Sequence, residues 1–346
     1  MEKREFAVDA VKAFAIISVV LIHTCAAGYA YEVGSFNWVA AVFWGSISRA
    51  GVPLFFMCSG ALLLDPQHDF SVKKLFSKNL LRLCAALFFW AAIYKCSHLL
   101  AAGSFTAEEL RQALTELALF RHEQHLYFLH IMLLVYLFLP VTRVFVKHAD
   151  DSRLRYFLAA WFLLGIVYPT VRPYRPFSLL AGIPLQWQMN MTYAAIGYGV
   201  LGYYLFTHHF RRKLYPIITG TSGFALVFAG TWIMSEKQIQ LYQHFYEGMS
   251  VGVCLLAVGV FSFIMRQHKA SLPRTLTGLT EFLAKASFCI YLAHLLIIQL
   301  FGYIGLRVTD FSCAVSIPAL ALLNICICSL VYLALSKIPF INKWLI

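Results

Sequence analysis

Charge is scarce in this 346-residue chain: 13% of it is Asp, Glu, Lys or Arg, and the acids number 16 against 28 Lys plus Arg. A soluble domain carries about 25% charged residues. With 60% of the chain hydrophobic, too little polar surface remains to face water. A soluble enzyme, a disordered tail and a disulfide-stapled secreted module are thereby excluded. The nine cysteines contain no Cys-x-x-Cys pair, and all but Cys313 lie in or beside apolar runs. They read as small buried side chains rather than as a disulfide or metal framework. Internal repeats and low-complexity tracts are missing too. The formal net charge of +12 would suit a nucleic-acid partner, but the cations stand beside apolar runs, so no nucleic acid is expected.

Long apolar runs are what the chain has in abundance. A spanning helix needs about 20 mostly apolar residues. Ten segments fit, at 11–30, 39–64, 82–102, 126–146, 156–171, 191–207, 216–234, 247–265, 286–304 and 314–336, of which the fifth and sixth are short. The fold class expected is an all-α polytopic membrane protein, one integral-membrane domain over 1–346 with no soluble extracytoplasmic domain. Cations orient such a bundle. With the N-terminus in the cytoplasm, the inner segments hold Lys3, Arg4 and Lys12, then Lys73, Lys74, Lys78 and Arg82, then Lys147, Arg153 and Arg155. Arg211 to Lys213, Arg266 to Lys285, and Lys337 with Lys343 continue the series. The outer segments hold only Arg111, Arg121, Arg172, Arg175, Lys237 and Arg307. Both termini are then cytoplasmic. The basic start and the small residues near Ala30 imitate a cleaved leader, but Glu2, Glu5, Asp9 and a mid-run His23 argue for a retained first span. In the connector 103–124, Thr106 followed by Glu109 is a capping box. Leu110, Leu114 and Leu117 then recur at helical spacing and predict a short helix on the outer surface.

Ionisable groups inside spans are costly and mark function by default. Lys12 and His23 in the first span are three turns plus about 20° apart, so they share a face at a separation of about 16 Å. Asp9 falls near the same face. Arg49 lies about 15 Å inside the second span from its outer end, the level that His23 reaches from the inner side. Its guanidinium cannot lose its charge, and no acid lies in the middle of any span. An anionic ligand or a watery cavity is the economical partner. Pro53 and Gly60 are read as interruptions that free backbone carbonyls there. His125, Tyr127, Phe128 and His130 open the fourth span, and Ser287, Tyr291 and His294 share the ninth. Lys95, His98 and Arg143 stand close enough to span ends to snorkel. A transporter or flippase of an anionic or lipid-linked sugar would use intramembrane Arg and His as well, and stands open beside an enzyme.

Taken together these blocks resemble a family. Asp9-Ala-Val-Lys12, ten residues, then His23 is similar to the first-helix signature of the integral-membrane acyltransferase family 3, in which Arg usually stands where Lys12 does. The run Arg49–Gly60 resembles its Arg-x-x-Val-Pro-Leu-Phe-Phe-x-x-Ser-Gly segment. Lys78-Asn-Leu-Leu-Arg82 resembles its basic pair, and His125-Leu-Tyr127-Phe-Leu its His-Leu-Trp-Phe/Tyr-Leu segment. Ser287-Phe-Cys-Ile-Tyr291-Leu-Ala-His294 resembles its late Ser-x-x-Ile-Tyr-Leu-x-His. Lys12 keeps the charge of the usual Arg but loses the bidentate fork, and Tyr127 replaces a common Trp.

The resemblance implies acyl transfer from a cytoplasmic acyl-CoA, most often acetyl-CoA, to a sugar hydroxyl of a cell-surface polysaccharide or glycolipid. The place implied is a bacterial cytoplasmic (inner) membrane, with lipid around the bundle. Lys12, Lys74, Lys78 and Arg82 then make a cationic inner mouth for CoA. His23 is the general base, a task that suits a neutral imidazole. Arg49 steadies the oxyanion of the tetrahedral intermediate. His125, Tyr127, Tyr291 and His294 bind the acceptor, and no metal is called for. Direct transfer and an acyl-His23 intermediate both stay open. Some family members carry an esterase-like extracytoplasmic domain after the last span. None follows here up to Ile346, so transfer is expected to finish within the membrane domain.

Overall fold

The structure is a computed structural model and describes residues 6–346 apart from 68, 104, 181, 209, 211, 268, 270 and 271. Glu2, Lys3, Arg4, Glu5 and Arg211, which entered the charge reading, lie outside the described residues. Among the described residues the regular elements are helical and no strand occurs. The principal helices are α1 (Phe6–Thr24), α2 (Phe36–Ser48), α3 (Gly51–Leu63), α4 (Leu81–Ala102), α5 (Ala107–Ala118), α6 (Tyr127–His148), α7 (Asp151–Phe162) and α8 (Met191–Thr207). The remainder are α9 (Leu214–Gln238), α10 (Val251–Ile264), α11 (Arg274–Tyr303), α12 (Cys313–Leu335) and the short α13 (Pro339–Trp344).

Nine helical segments among the described residues are long and apolar enough to cross a membrane. The chain is an all-α, multi-pass integral membrane protein. Every expected span coincides with helix. The sixth is the exception in length: α8 has 17 residues, about 25 Å of rise, against the roughly 30 Å of a bilayer core. The second span is a pair of helices, α2 and α3, that meet at Arg49 and Ala50. Pro53 and Gly60 therefore do not make the break. Pro53 occupies the first turn of α3, where the ring is tolerated because that turn's N–H groups have no intrahelical partner. Gly60 serves a packing contact.

Side-chain oxygens start several helices. Ser35, Asp150, Asn190 and Ser250 accept from the backbone N–H three residues on, which satisfies one orphan donor in each first turn. The capping box at α5 forms as read: Glu109 N–H donates to Thr106 Oγ1 at 3.2 Å and Thr106 N–H to Glu109 Oε2 at 3.0 Å. All nine cysteines are free.

In lipid, helices associate through close packing and not through exclusion of water. The contacts that place the site are therefore made by small residues. At Gly51 a β-carbon would stand 3.0 Å from the Ala15 carbonyl oxygen and from Ser18 Cβ, so α3 lies almost on α1. At Gly60 it would fall onto the backbone of Gly199 in α8, and at Gly202 onto the backbone of Met57. Helix α1 also packs against α11 and α12, and its Val11, Ala15, Ile16, Val19 and Val20 are buried.

Helix α5 is tied to the bundle by Lys95 Nζ, 2.6 Å from Glu116 Oε2. Hydrogen bonds from Lys95 and Gln112 hold the Glu116 carboxyl below its usual range. The tie is present at neutral pH and is lost as pH falls through that depressed value. Glu116→Gln should therefore show, at pH 7, the faster proteolysis of the connector 103–124 that the parent shows only in acid. Equal cleavage of parent and variant at pH 7 would discard the tie.

Candidate active site

Three histidines from separate elements converge. His23 stands in the last turn of α1 and is half-buried. His125 lies in a 3-10 turn just before α6, and His294 in the middle of α11. Ring centroids are 5.0 Å apart for His23 and His294, 5.5 Å for His125 and His294, and 6.3 Å for His23 and His125. His294 is 0% exposed and His125 2%. No group of three His, Cys, Asp or Glu among the described residues is arranged to hold a metal ion.

Backbone and tyrosine contacts lock this cluster. Tyr291 Oη donates to the His125 carbonyl at 2.6 Å, and Tyr94 Oη to the Leu292 carbonyl at 2.9 Å. The His125 ring meets Tyr94 edge-on at 4.8 Å. Nδ1 of His294 lies 2.7 Å from the Tyr291 carbonyl and 3.2 Å from that of Ile290. A carbonyl only accepts, so Nδ1 carries the proton and Nε2 the lone pair. That Nε2, and both ring nitrogens of His125, are buried without a hydrogen-bond partner. Asn324 in α12 donates to the His294 carbonyl at 2.9 Å.

Arg49 sits where α2 and α3 meet. Its guanidinium carbon lies 3.9 Å from the centre of the Tyr246 ring, a cation–π contact, and its Nε is buried without a partner. Its charge is felt at His23, Tyr29 and Tyr127. Tyr127 opens α6 and is 44% exposed.

A cavity of about 750 Å³ lies beside the cluster. Lys12, Lys78, Arg82, Lys285 and Lys343 line it, with Phe55, Phe128, Tyr136, Phe288 and Trp344 as aromatic walls. Among the described residues that line it there is no Asp or Glu. Tyr291 belongs both to the cavity wall and to the cluster, with its ring 6.0 Å from His125 and 6.1 Å from His294. Of the four cations read from the sequence as the inner mouth, Lys12, Lys78 and Arg82 line this cavity. Lys74 is exposed in a short turn of helix outside it.

Two further cations, Lys285 and Lys343, line the cavity. Lys285, two residues before Ser287 in α11, and Lys343 in α13 enter the sequence reading only as inner-side charge. Helix α13 is held by Trp90 Nε1 donating to the Leu345 carbonyl at 3.0 Å and by Arg82 donating to the Ile346 backbone oxygen. The only sequence signal for Lys285 is its place on the helix that carries His294. For Lys343 there is none.

The family described as "Acyltransferase domain" matches residues 5–333. The "Putative acetyltransferase ORF330" of Acidianus two-tailed virus is 27% identical over 270 residues, which is 74% of this chain and 75% of the viral protein. No solved structure matches the chain. The chain belongs to acyltransferase family 3, and it is a membrane-embedded acyltransferase.

Proposed function

We propose that this acyltransferase moves an acyl group, acetyl by default, from a cytoplasmic coenzyme A thioester to a hydroxyl of a surface polysaccharide or glycolipid, with His23 as general base. The membrane is the cytoplasmic membrane of a bacterium, and both chain ends face the cytoplasm, as the distribution of Lys and Arg favours. A further resemblance, to the O-acetyltransferase of enterobacterial common antigen, makes a glycan of that class the first acceptor to assay.

The observation that carries the reading is the placement of His23. It is half-buried beside two fully buried imidazoles, within reach of the Arg49 charge, and next to a cationic cavity that shares Tyr291 with the cluster. Phosphates of the donor are held by Lys12, Lys78 and Arg82, with Lys285 and Lys343 completing the ring of cations. Lys74 supplies general positive potential outside it. The acceptor hydroxyl, positioned by His125, Tyr127 and Tyr291, attacks the thioester carbon. Its proton passes to His23, the C–O bond of the new ester forms, the C–S bond breaks, and His23 returns the proton to the departing thiolate. Arg49 neutralises the oxyanion formed between those steps. No metal takes part in this scheme.

Purified protein given labelled acetyl-CoA and a candidate glycan should yield acetylated glycan. Glycan carried across a vesicle membrane without modification would establish transport instead. A second expectation concerns the cavity. Lys285→Ala and Lys343→Ala should each raise the donor KM by roughly tenfold, the value of one charge-assisted contact of about 1.4 kcal/mol. The acceptor KM should stay put, and the loss should shrink at high salt, where the cationic field is screened. An unchanged donor KM in both variants would remove the two lysines from the donor site.

A further inference from the structure

An imidazole presents a lone pair to a substrate hydroxyl only when its other ring nitrogen holds the proton, and something must receive that N–H to fix the tautomer. In hydrolytic triads a carboxylate does so. Among the described residues the ionisable groups that bear on His23 are His294, Arg49 and His125, so the receiver has to be sought elsewhere than in a carboxylate. Arg49 has no lone pair to offer.

We propose that His294 is a positioning residue for His23: its Nε2 accepts the His23 N–H and leaves the opposite nitrogen of His23 free for the hydroxyl. Three observations carry this assignment. First, the Nδ1–H bond to the Tyr291 carbonyl makes Nε2 the acceptor nitrogen, and Nε2 is buried with no other partner. Second, the two ring centres are 5.0 Å apart, the closest pair in the cluster. A hydrogen bond of about 2.9 Å between ring edges fits that spacing after a modest rotation of the half-buried His23 ring. Third, His294 is fully buried and its backbone is pinned by Asn324. It is therefore a fixed reference for a neighbour that turns. His125 is a poorer receiver, since neither of its nitrogens has a partner that sets the tautomer. His294 takes up no proton in the cycle. The imidazolium forms on His23 alone, with its N–H directed at the neutral neighbour.

This inference rests on the acyl-transfer reading with His23 as base. His294→Leu keeps bulk and removes the acceptor. It should lower kcat by roughly 10²-fold or more, in line with general-base catalysis and with loss of the correct tautomer, while both KM values hold. His294→Gln offers one donor for the Tyr291 carbonyl and one acceptor for His23, and should recover a large part of that loss. Equal losses in the two variants, or losses in KM alone, would mean that His294 only fills space and would overturn the proposal. Nitrogen-15 spectra of histidine-labelled parent protein give a reading that needs no variant to be active. They should show a neutral His294 protonated on Nδ1, and an Nε2-protonated or doubly protonated ring would overturn the assignment. Full activity in His23→Ala would sink the base reading itself. A dead His23→Ala beside a fully active His294→Leu would sink only the present inference.

Discussion

Replacing His23 by alanine should cut kcat by about 10²–10⁴-fold, the range for loss of a positioned general base, with donor KM within a few fold of the parent. The split follows from the geometry. The cavity cations Lys12, Lys78, Arg82, Lys285 and Lys343 are untouched by the change, so donor binding is preserved. The ring removed is the member of the histidine cluster that is half-buried and not fully enclosed. His23 packs no large cavity by itself, so the variant should stay folded, which a thermal melt in detergent checks. Turnover of labelled acetyl-CoA onto glycan at saturating substrate gives kcat directly. A folded His23→Ala protein that retains parental kcat would end the case for His23 as base.

A substitution remote from that chemistry should do comparable harm by another route. Gly60→Leu puts a branched side chain where even one β-carbon would lie on the Gly199 backbone. Backbone cannot swing aside as a side chain does, so α3 and α8 must separate. Overpacking of a well-filled interior costs about 1–3 kcal/mol, occasionally more, and this contact belongs at or above the top of that range. The expected result is a clear fall in melting temperature and in the yield of folded protein. Activity should be lost through the missing protein, with donor KM normal in whatever folds. The companion change Gly199→Ala should be far milder, since its β-carbon would meet nothing closer than 3.9 Å. Equal melting temperatures for Gly60→Leu and the parent would show that the two helices are not held at this point.

The fold was legible because lipid imposes a simple rule: backbone polar groups must be satisfied within the segment, so apolar length alone announces helix. The rule is silent about where a helix breaks. The interruption was read at Pro53 because proline lacks a donor, yet the break falls at Arg49 and Ala50, where composition gives no sign. Length was legible: 191–207 reads as a short span, and α8 covers those same 17 residues. At the site, the shared face of Lys12 and His23 follows from helical period, and His125 and His294 were flagged as polar residues in apolar surroundings. Their convergence on His23 is tertiary and no spacing predicts it. The same holds for Lys343, which reaches the cavity because Trp90 and Arg82 hold the segment around it, and for Lys74, whose charge reads as equivalent to that of Lys78 although only Lys78 lines the cavity.

The glycines recur away from the site. Gly259 would drive a β-carbon into Gly220, and Gly223 into Leu256, where α9 lies against α10. Neither helix contributes a member of the histidine cluster. A random-mutagenesis campaign scored on product alone would therefore return these positions alongside His23 and tempt the experimenter to draw them into the reaction scheme. Weighing every inactive clone by how much protein reaches the bilayer separates the hinge pins from the tool they hold.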